Sequence, residues 1–191
     1  QNDGLATGRT GGVTIMQLDA GLDTGPLLAQ QALAIGAPLT SAALLQQFAH
    51  AGAALLLEVI AGLEAGTLQP QAQPATGVTY AAKLEKREAP IDWAAPAESI
   101  ARQVRACNPW PIAETSLAGA QLRIWQADSL ATPATGASAP PGTVLGLVEG
   151  RLLVACGVGV LAIDQLQSAS RRVVSAADFA HAHPIATLKF G

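Results

Sequence analysis

The carboxylate best placed to do chemistry is Asp23, in the run Leu18-Asp19-Ala20-Gly21-Leu22-Asp23-Thr24-Gly25-Pro26. The run is rich in turn formers and lies between two stretches of strand type, so it would present a carboxylate at the end of a strand pair. Gly21 and Gly25 permit tight backbone geometry there. A carboxylate in that place would be partly desolvated, which suits a group that exchanges protons or holds a cationic partner. Two other readings share these residues. An aspartate in such a turn often stabilises only its own loop, and this suits Asp19 best. Asp-Thr-Gly is also the signature of aspartic proteases, which need two such carboxylates sharing a proton. A homodimer could supply the second, but Pro26 stands where those enzymes carry a small residue, and no matching second glycine-bearing strand is evident.

The remaining reactive side chains are sparse. His50 falls in a predicted helix, and His181 and His183 lie near the end of the sequence. Cys107 and Cys156 form no CxxC and have no histidine at ligand spacing, which argues against a disulfide framework and a zinc site. A reduced, cytoplasmic setting fits best. The net charge of −3 does not advertise nucleic-acid binding, but its distribution is uneven. Residues 1–80 carry Arg9 against Asp3, Asp19, Asp23, Glu58 and Glu64, whereas residues 81–191 carry ten Lys/Arg against nine Asp/Glu. An anionic partner would therefore dock on the second part.

The elements that must hold these residues follow from pattern. Half of the 191 residues are hydrophobic, enough for one compact domain or two small ones. Residues 13–18 and 27–35 read as strands around the Asp23 turn. A helix runs from a Thr40 or Ser41 cap to about Ala65, with Gly66 as its stop. Leu44, Leu45, Phe48, Leu55, Leu56, Val59, Ile60 and Leu63 recur at helical spacing on it and predict one broad buried face. Two strands and one helix bury little alone, so this unit reads as the end of a larger α/β domain. Residues 68–96, with Pro70, Pro74, Pro90 and Pro96, read as a linker. A second helix is expected over 97–107, with Ile100 and Val104 on one face. Short strands at 112–117, 121–127, 142–148, 151–155 and 158–166 suggest a small barrel. The low-complexity stretch 131–141 is expected to be a loop, and a last helix spans 175–181. No apolar run approaches the ~20 residues that span a bilayer.

Three segments together resemble the methionyl-tRNA formyltransferase family. The first is Gly12-Val13-Thr14-Ile15-Met16-Gln17-Leu18-Asp19-Ala20-Gly21-Leu22-Asp23-Thr24-Gly25. The second is Thr79-Tyr80-Ala81-Ala82-Lys83-Leu84, followed by Ile91-Asp92-Trp93. The third is Arg105-Ala106-Cys107-Asn108-Pro109-Trp110-Pro111. The resemblance implies an α/β remnant of a Rossmann-like formyltransferase domain (1–67), a linker (68–96) and a small OB-like β-barrel domain (97–191), α+β overall. It also implies transfer of a formyl group from the co-substrate 10-formyltetrahydrofolate to the amino group of methionyl initiator tRNA, without a metal.

Of that family's catalytic Asn, His and Asp, only the last has a counterpart here, Asp23, so the chain is expected to be inactive alone. The first twelve residues depart from the family pattern and read as truncated or frame-disturbed. Lys83, Lys86, Arg87, Arg105, Arg171 and Arg172 are the expected tRNA contacts, with Arg102 and Arg123 as further candidates. Lys83, Lys86 and Arg87 alternate with Glu85 and Glu88, leaving Arg171-Arg172 as the clearest basic pair. In the NPWP segment Asn108 is expected to cap or turn, the prolines to stiffen and Trp110 to pack. The full-length enzyme is expected to be a monomer with no membrane partner. Two alternatives remain at this point: another folate-dependent formyltransferase, such as one acting on amino sugars, and a non-catalytic tRNA-binding module.

Overall fold

The computed structural model describes residues 9–36, 38–130 and 139–191. Most of the low-complexity stretch expected as a loop over 131–141 lies outside the described residues, as do most of the atypical first twelve residues. The chain divides into two compact units, Gln1–Ala82 and Lys83–Gly191.

In the first unit, strands β1 (Arg9–Met16) and β2 (Leu27–Ile35) pair antiparallel, with a register shift between Ile15 and Met16 where the strands meet the Asp23 turn. Helix α1 (Ser41–Glu64) follows. Thr40 caps it by accepting from the Ala43 N–H at 3.3 Å. Its end is a Schellman arrangement: Gly66, at φ 66°, donates to the Leu63 carbonyl and Thr67 to that of Gly62.

The expected broad buried face of α1 is not observed. Val59 is its one buried residue, while Leu45 is 70% and Leu57 69% exposed. A two-stranded ribbon is too narrow to cover an apolar stripe of this width. The ribbon admits α1 mainly at small residues: the Phe48 ring lies over Gly11, and Gly52 faces Val13. α1 also meets the length and composition of a bilayer-crossing helix, contrary to the expectation of no such segment. The expectation counted uninterrupted apolar runs, whereas a helix is judged on its average, which Ala and Leu keep high despite Gly52 and Glu58.

In the second unit a short 3-10 turn (Lys86–Glu88) leads to helix α2 (Ala97–Ala106), which buries Ala97, Ile100, Ala101 and Val104. Strands β3 (Ala113–Leu117), β4 (Ala120–Leu130), β5 (Val144–Val148), β6 (Arg151–Ala155) and β7 (Val160–Ser168) form one sheet in the order β3-β4-β7-β6-β5. All neighbours are antiparallel; short Gly-bearing turns join β3 to β4, β5 to β6 and β6 to β7, whereas β4 and β7 pair across the intervening β5 and β6. A two-residue strand β8 (Val174–Ser175) adds to β7, and Ser175 then caps helix α3 (Ala176–Ala182) by accepting from the Asp178 N–H at 3.1 Å.

The core lies between α2, α3 and the inner face of the sheet, where Leu122, Ile124, Leu152, Val154, Leu161, Ile163 and Leu166 are all within 1% of full burial. Side chains of β7 alternate between that core and a smaller cluster of Leu153, Val160 and Ala162 on the other face. The named strands form an open path rather than a closed ring. Residues 188–191 span the two edges: Val144 donates to the Leu188 carbonyl, Phe190 to that of Gly142, and Gly191 to that of Ser116. Gly142, at φ 84°, allows this approach, since a Cβ there would overlap the Phe190 carbonyl.

The segment expected as a linker, 68–96, is divided between the units. Gln71 exchanges two backbone hydrogen bonds with Leu27 (2.7 and 2.9 Å) in the first. Ala89 and Trp93 are buried in the second, where Ala89 and Ile91 bond to either side of Glu114.

Candidate active site

The loop 17–26 closes the β1–β2 pair, with the Gln17 N–H donating to the Pro26 carbonyl at 3.0 Å. Inside it, Asp19 Oδ1 accepts from the Gly21 N–H (3.0 Å) and from Thr24 Oγ1 (2.7 Å), so Asp19 is committed to the turn. Gly25 is buried, and a Cβ there would overlap the Gln17 carbonyl oxygen. Asp23 itself takes a left-handed backbone, φ 57°, which Asp tolerates better than most residues. Its carboxylate is exposed rather than partly desolvated, since the flanking Leu18 and Leu22 point outward at 84% and 87% exposure. The carbonyls of Asp23 and Gly25 accept from Gln73 Nε2 at 2.8 and 2.7 Å. Gln73 left no mark in the sequence, where it lies in a Pro- and Gln-rich stretch.

None of the three histidines partners this carboxylate among the described contacts. His50 Nδ1 lies 2.8 Å from the Gln46 carbonyl of its own helix. His183, in the other unit, stacks on Phe179 and has Nδ1 2.9 Å from that residue's carbonyl. Both thiols are free and buried. Desolvation raises Cys107, with a smaller push from Glu88, and raises Cys156 to about 11, so both are held as neutral thiols at ordinary pH.

The basic residues fall into two kinds. Lys83, Lys86, Arg87, Arg171 and Arg172 are exposed, although Arg87 Nε pairs with Glu85 at 2.8 Å. Arg105 is half-buried and lies 3.8 Å from Asp128, which also pairs with Arg151 at 3.2 Å. Arg151 pairs in turn with Asp164 at 3.0 Å. The Arg151 network was not visible in sequence because it joins three strands of the sheet. Arg102 is tied to Glu98, and Arg123 is half-buried. In the NPWP segment Asn108 Nδ2 donates to the Trp125 carbonyl at 2.8 Å, which ties the turn after α2 to β4. Trp110 does not pack as expected: it is 52% exposed, since Asn108 and the buried Ile112 on either side already anchor the turn.

A formyl-transferase pattern matches both units. The family model described as "Formyl transferase" matches residues 4–60, and that described as "Formyl transferase, C-terminal domain" matches residues 83–184. The chain belongs to the formyl transferase family. Its curated relatives include a methionyl-tRNA formyltransferase of Methylococcus capsulatus, 44% identical over 98% of this chain and 59% of the relative. Another, of Burkholderia multivorans and with the same description, is 44% identical over 92% of this chain and 53% of the relative. The chain thus spans little more than half the length of these relatives. Among solved structures, HypX from Aquifex aeolicus in complex with tetrahydrofolic acid aligns with a TM-score of 0.67 at 19% identity, over 90% of this chain and 30% of that one. WlaRD, a sugar 3N-formyl transferase, aligns with a TM-score of 0.59 at 17% identity, over 85% of this chain and 56% of that one. These two likenesses establish the α/β formyltransferase fold.

Proposed function

We propose that this chain carries the aspartate-bearing part and the C-terminal unit of a methionyl-tRNA formyltransferase, with Asp23 at the catalytic aspartate position. The observation that carries the reading is the loop around Asp23, which holds a carboxylate outward on a left-handed turn in a chain 44% identical to enzymes of that name. The reaction would move a formyl group from 10-formyltetrahydrofolate to the amino group of methionyl initiator tRNA. Attack of the neutral amine on the formyl carbon gives a tetrahedral oxyanion bearing an ammonium, which needs hydrogen-bond donors and a route for its proton. Asp23 would supply that route, by charging and orienting a histidine or through water. The Asn, the His and the folate-contacting loop that the resemblance implies have no counterpart in this sequence, so no folate contact is assigned to any residue.

The same reading takes residues 1–67 as the end of the catalytic domain, 68–96 as linker and 97–191 as an OB-like barrel. The antiparallel sheet, whose two edges residues 188–191 span, supports the last of these. Lys83, Lys86, Arg87, Arg105, Arg171 and Arg172 would face tRNA, the exposed Arg171 and Arg172 foremost. A cytoplasmic, monomeric full-length enzyme without metal or membrane partner goes with the proposal. The 44% relatives favour tRNA over an amino sugar as acceptor.

The test joins this chain to the N-terminal region of the Methylococcus capsulatus relative. The joined enzyme is expected to formylate methionyl initiator tRNA, and Asp23→Asn to lower kcat/KM by roughly a hundredfold or more. An Asn variant with full activity would remove Asp23 from the catalytic set. The 191-residue chain by itself is expected to transfer no formyl group.

A further inference from the structure

We propose that Gln73 is a positioning residue, fixing the backbone conformation in which Asp23 presents its carboxylate. The proposal rests on the reading of Asp23 given above. Gln73 lies far from the loop in sequence, yet its single amide nitrogen donates to two carbonyls, those of Asp23 at 2.8 Å and Gly25 at 2.7 Å. These carbonyls belong to the 23–24 and 25–26 peptides, so one planar group restrains two peptide planes on either side of the Thr24–Gly25 bond. The restraint is needed because Asp tolerates a left-handed φ of 57° without enforcing it. Asp19 secures the first half of the loop through Gly21 and Thr24, and the Gln17–Pro26 bond closes its base. Neither reaches the carbonyls of residues 23 and 25. Gln73 arrives there because Gln71, two residues earlier, is locked to Leu27 at the start of β2 by its own N–H and carbonyl.

The chemistry of the position is selective. An uncharged amide offers two donors on one nitrogen. A lysine would donate but would set a cation beside Asp23. An ionised glutamate would turn acceptor oxygens toward two carbonyls, and on protonation would regain one donor. Gln73→Glu is therefore nearly the same size as the native residue and switchable by pH.

The experiment measures amide hydrogen exchange by NMR in the full chain, comparing the native protein with Gln73→Glu and Gln73→Ala. At pH 7 exchange across residues 19–27 is expected to rise roughly three- to tenfold in both variants, with the amides of β7 unchanged. As pH falls toward about 4, and after correction for intrinsic rates, the Gln73→Glu loop should return toward native protection while Gln73→Ala does not. Unchanged loop exchange in either variant overturns the proposal. So does a rise in Gln73→Glu that ignores pH, because side-chain packing alone would then explain it. If the exchange pattern holds while Asp23→Asn is fully active in the joined enzyme, the catalytic reading of Asp23 falls and Gln73 still stands as the residue that sets the loop.

Discussion

In residues 83–191, helices α2 and α3 and the strands around β7 enclose a continuous core. In residues 1–82, a 24-residue helix and a strand pair bury one hydrophobic side chain among those described, Val59. Both units are rich in Ala and Leu, so apolar content does not distinguish them; what differs is the number of layers available to cover an apolar face. The site-bearing loop lies in the thinner unit. It is shaped by local hydrogen bonds from Asp19, Gln17 and Gln73 rather than by packing, in keeping with the way reactive residues gather on loops.

The contrast is most strongly tested by matched truncations. Leu161→Ala in β7, at a position with no exposure, should cost about 2–5 kcal/mol in denaturant unfolding, whereas Leu45→Ala on α1 should stay within about 0.5 kcal/mol. Similar losses at the two sites would mean that α1 is covered in solution.

A smaller effect is expected from the thiol of Cys156. Burial raises its pKa in the folded state to about 11 from an ordinary 9.0. Between those values the unfolded chain ionises first, so stability present below pH 9 is lost as pH rises toward 11. The loss attributable to this group is about 2–3 kcal/mol. Subtracting a Cys156→Ala series from the native one over pH 8–11 isolates it, and parallel curves would mean that water reaches the thiol.

The smallest effect concerns charge. Neutralising Arg171 and Arg172 together should weaken initiator-tRNA retention by the full chain and lower the slope of log affinity against log salt by about 2. An unchanged slope would take this pair off the binding face.

Much of the fold was legible in the sequence because periodicity and turn chemistry are local. The second strand at 27–35 and the strand at 151–155 have the bounds their patterns predict, and Thr40, Gly66 and Ser175 act as the caps their types suggest. Strand β8 escaped because two residues carry no period. The exposure of α1 escaped because a helix pattern states which face is apolar, not whether anything covers it. At the site, the turn and its two aspartates were legible from residue type. Gln73 was not, since it meets Asp23 across 50 residues and nothing in its neighbourhood repeats or alternates. The solvent exposure of Asp23 was misread for a related reason: its apolar neighbours in sequence, Leu18 and Leu22, are themselves exposed to solvent and cover nothing.

The segment 188–191 has a consequence for solubility. β3 and β5 are the two margins of the sheet, and unpaired backbone groups on such margins invite strand addition from another molecule. The same four residues occupy both, anchored by the fully buried Phe190. Loosening that one short tail would free the β5 margin and the end of β3 near Ser116, while Ala89 and Ile91 still hold the rest of β3 at Glu114. With one margin bare and the other still held, one local detachment would favour chain-to-chain dimers rather than polymers.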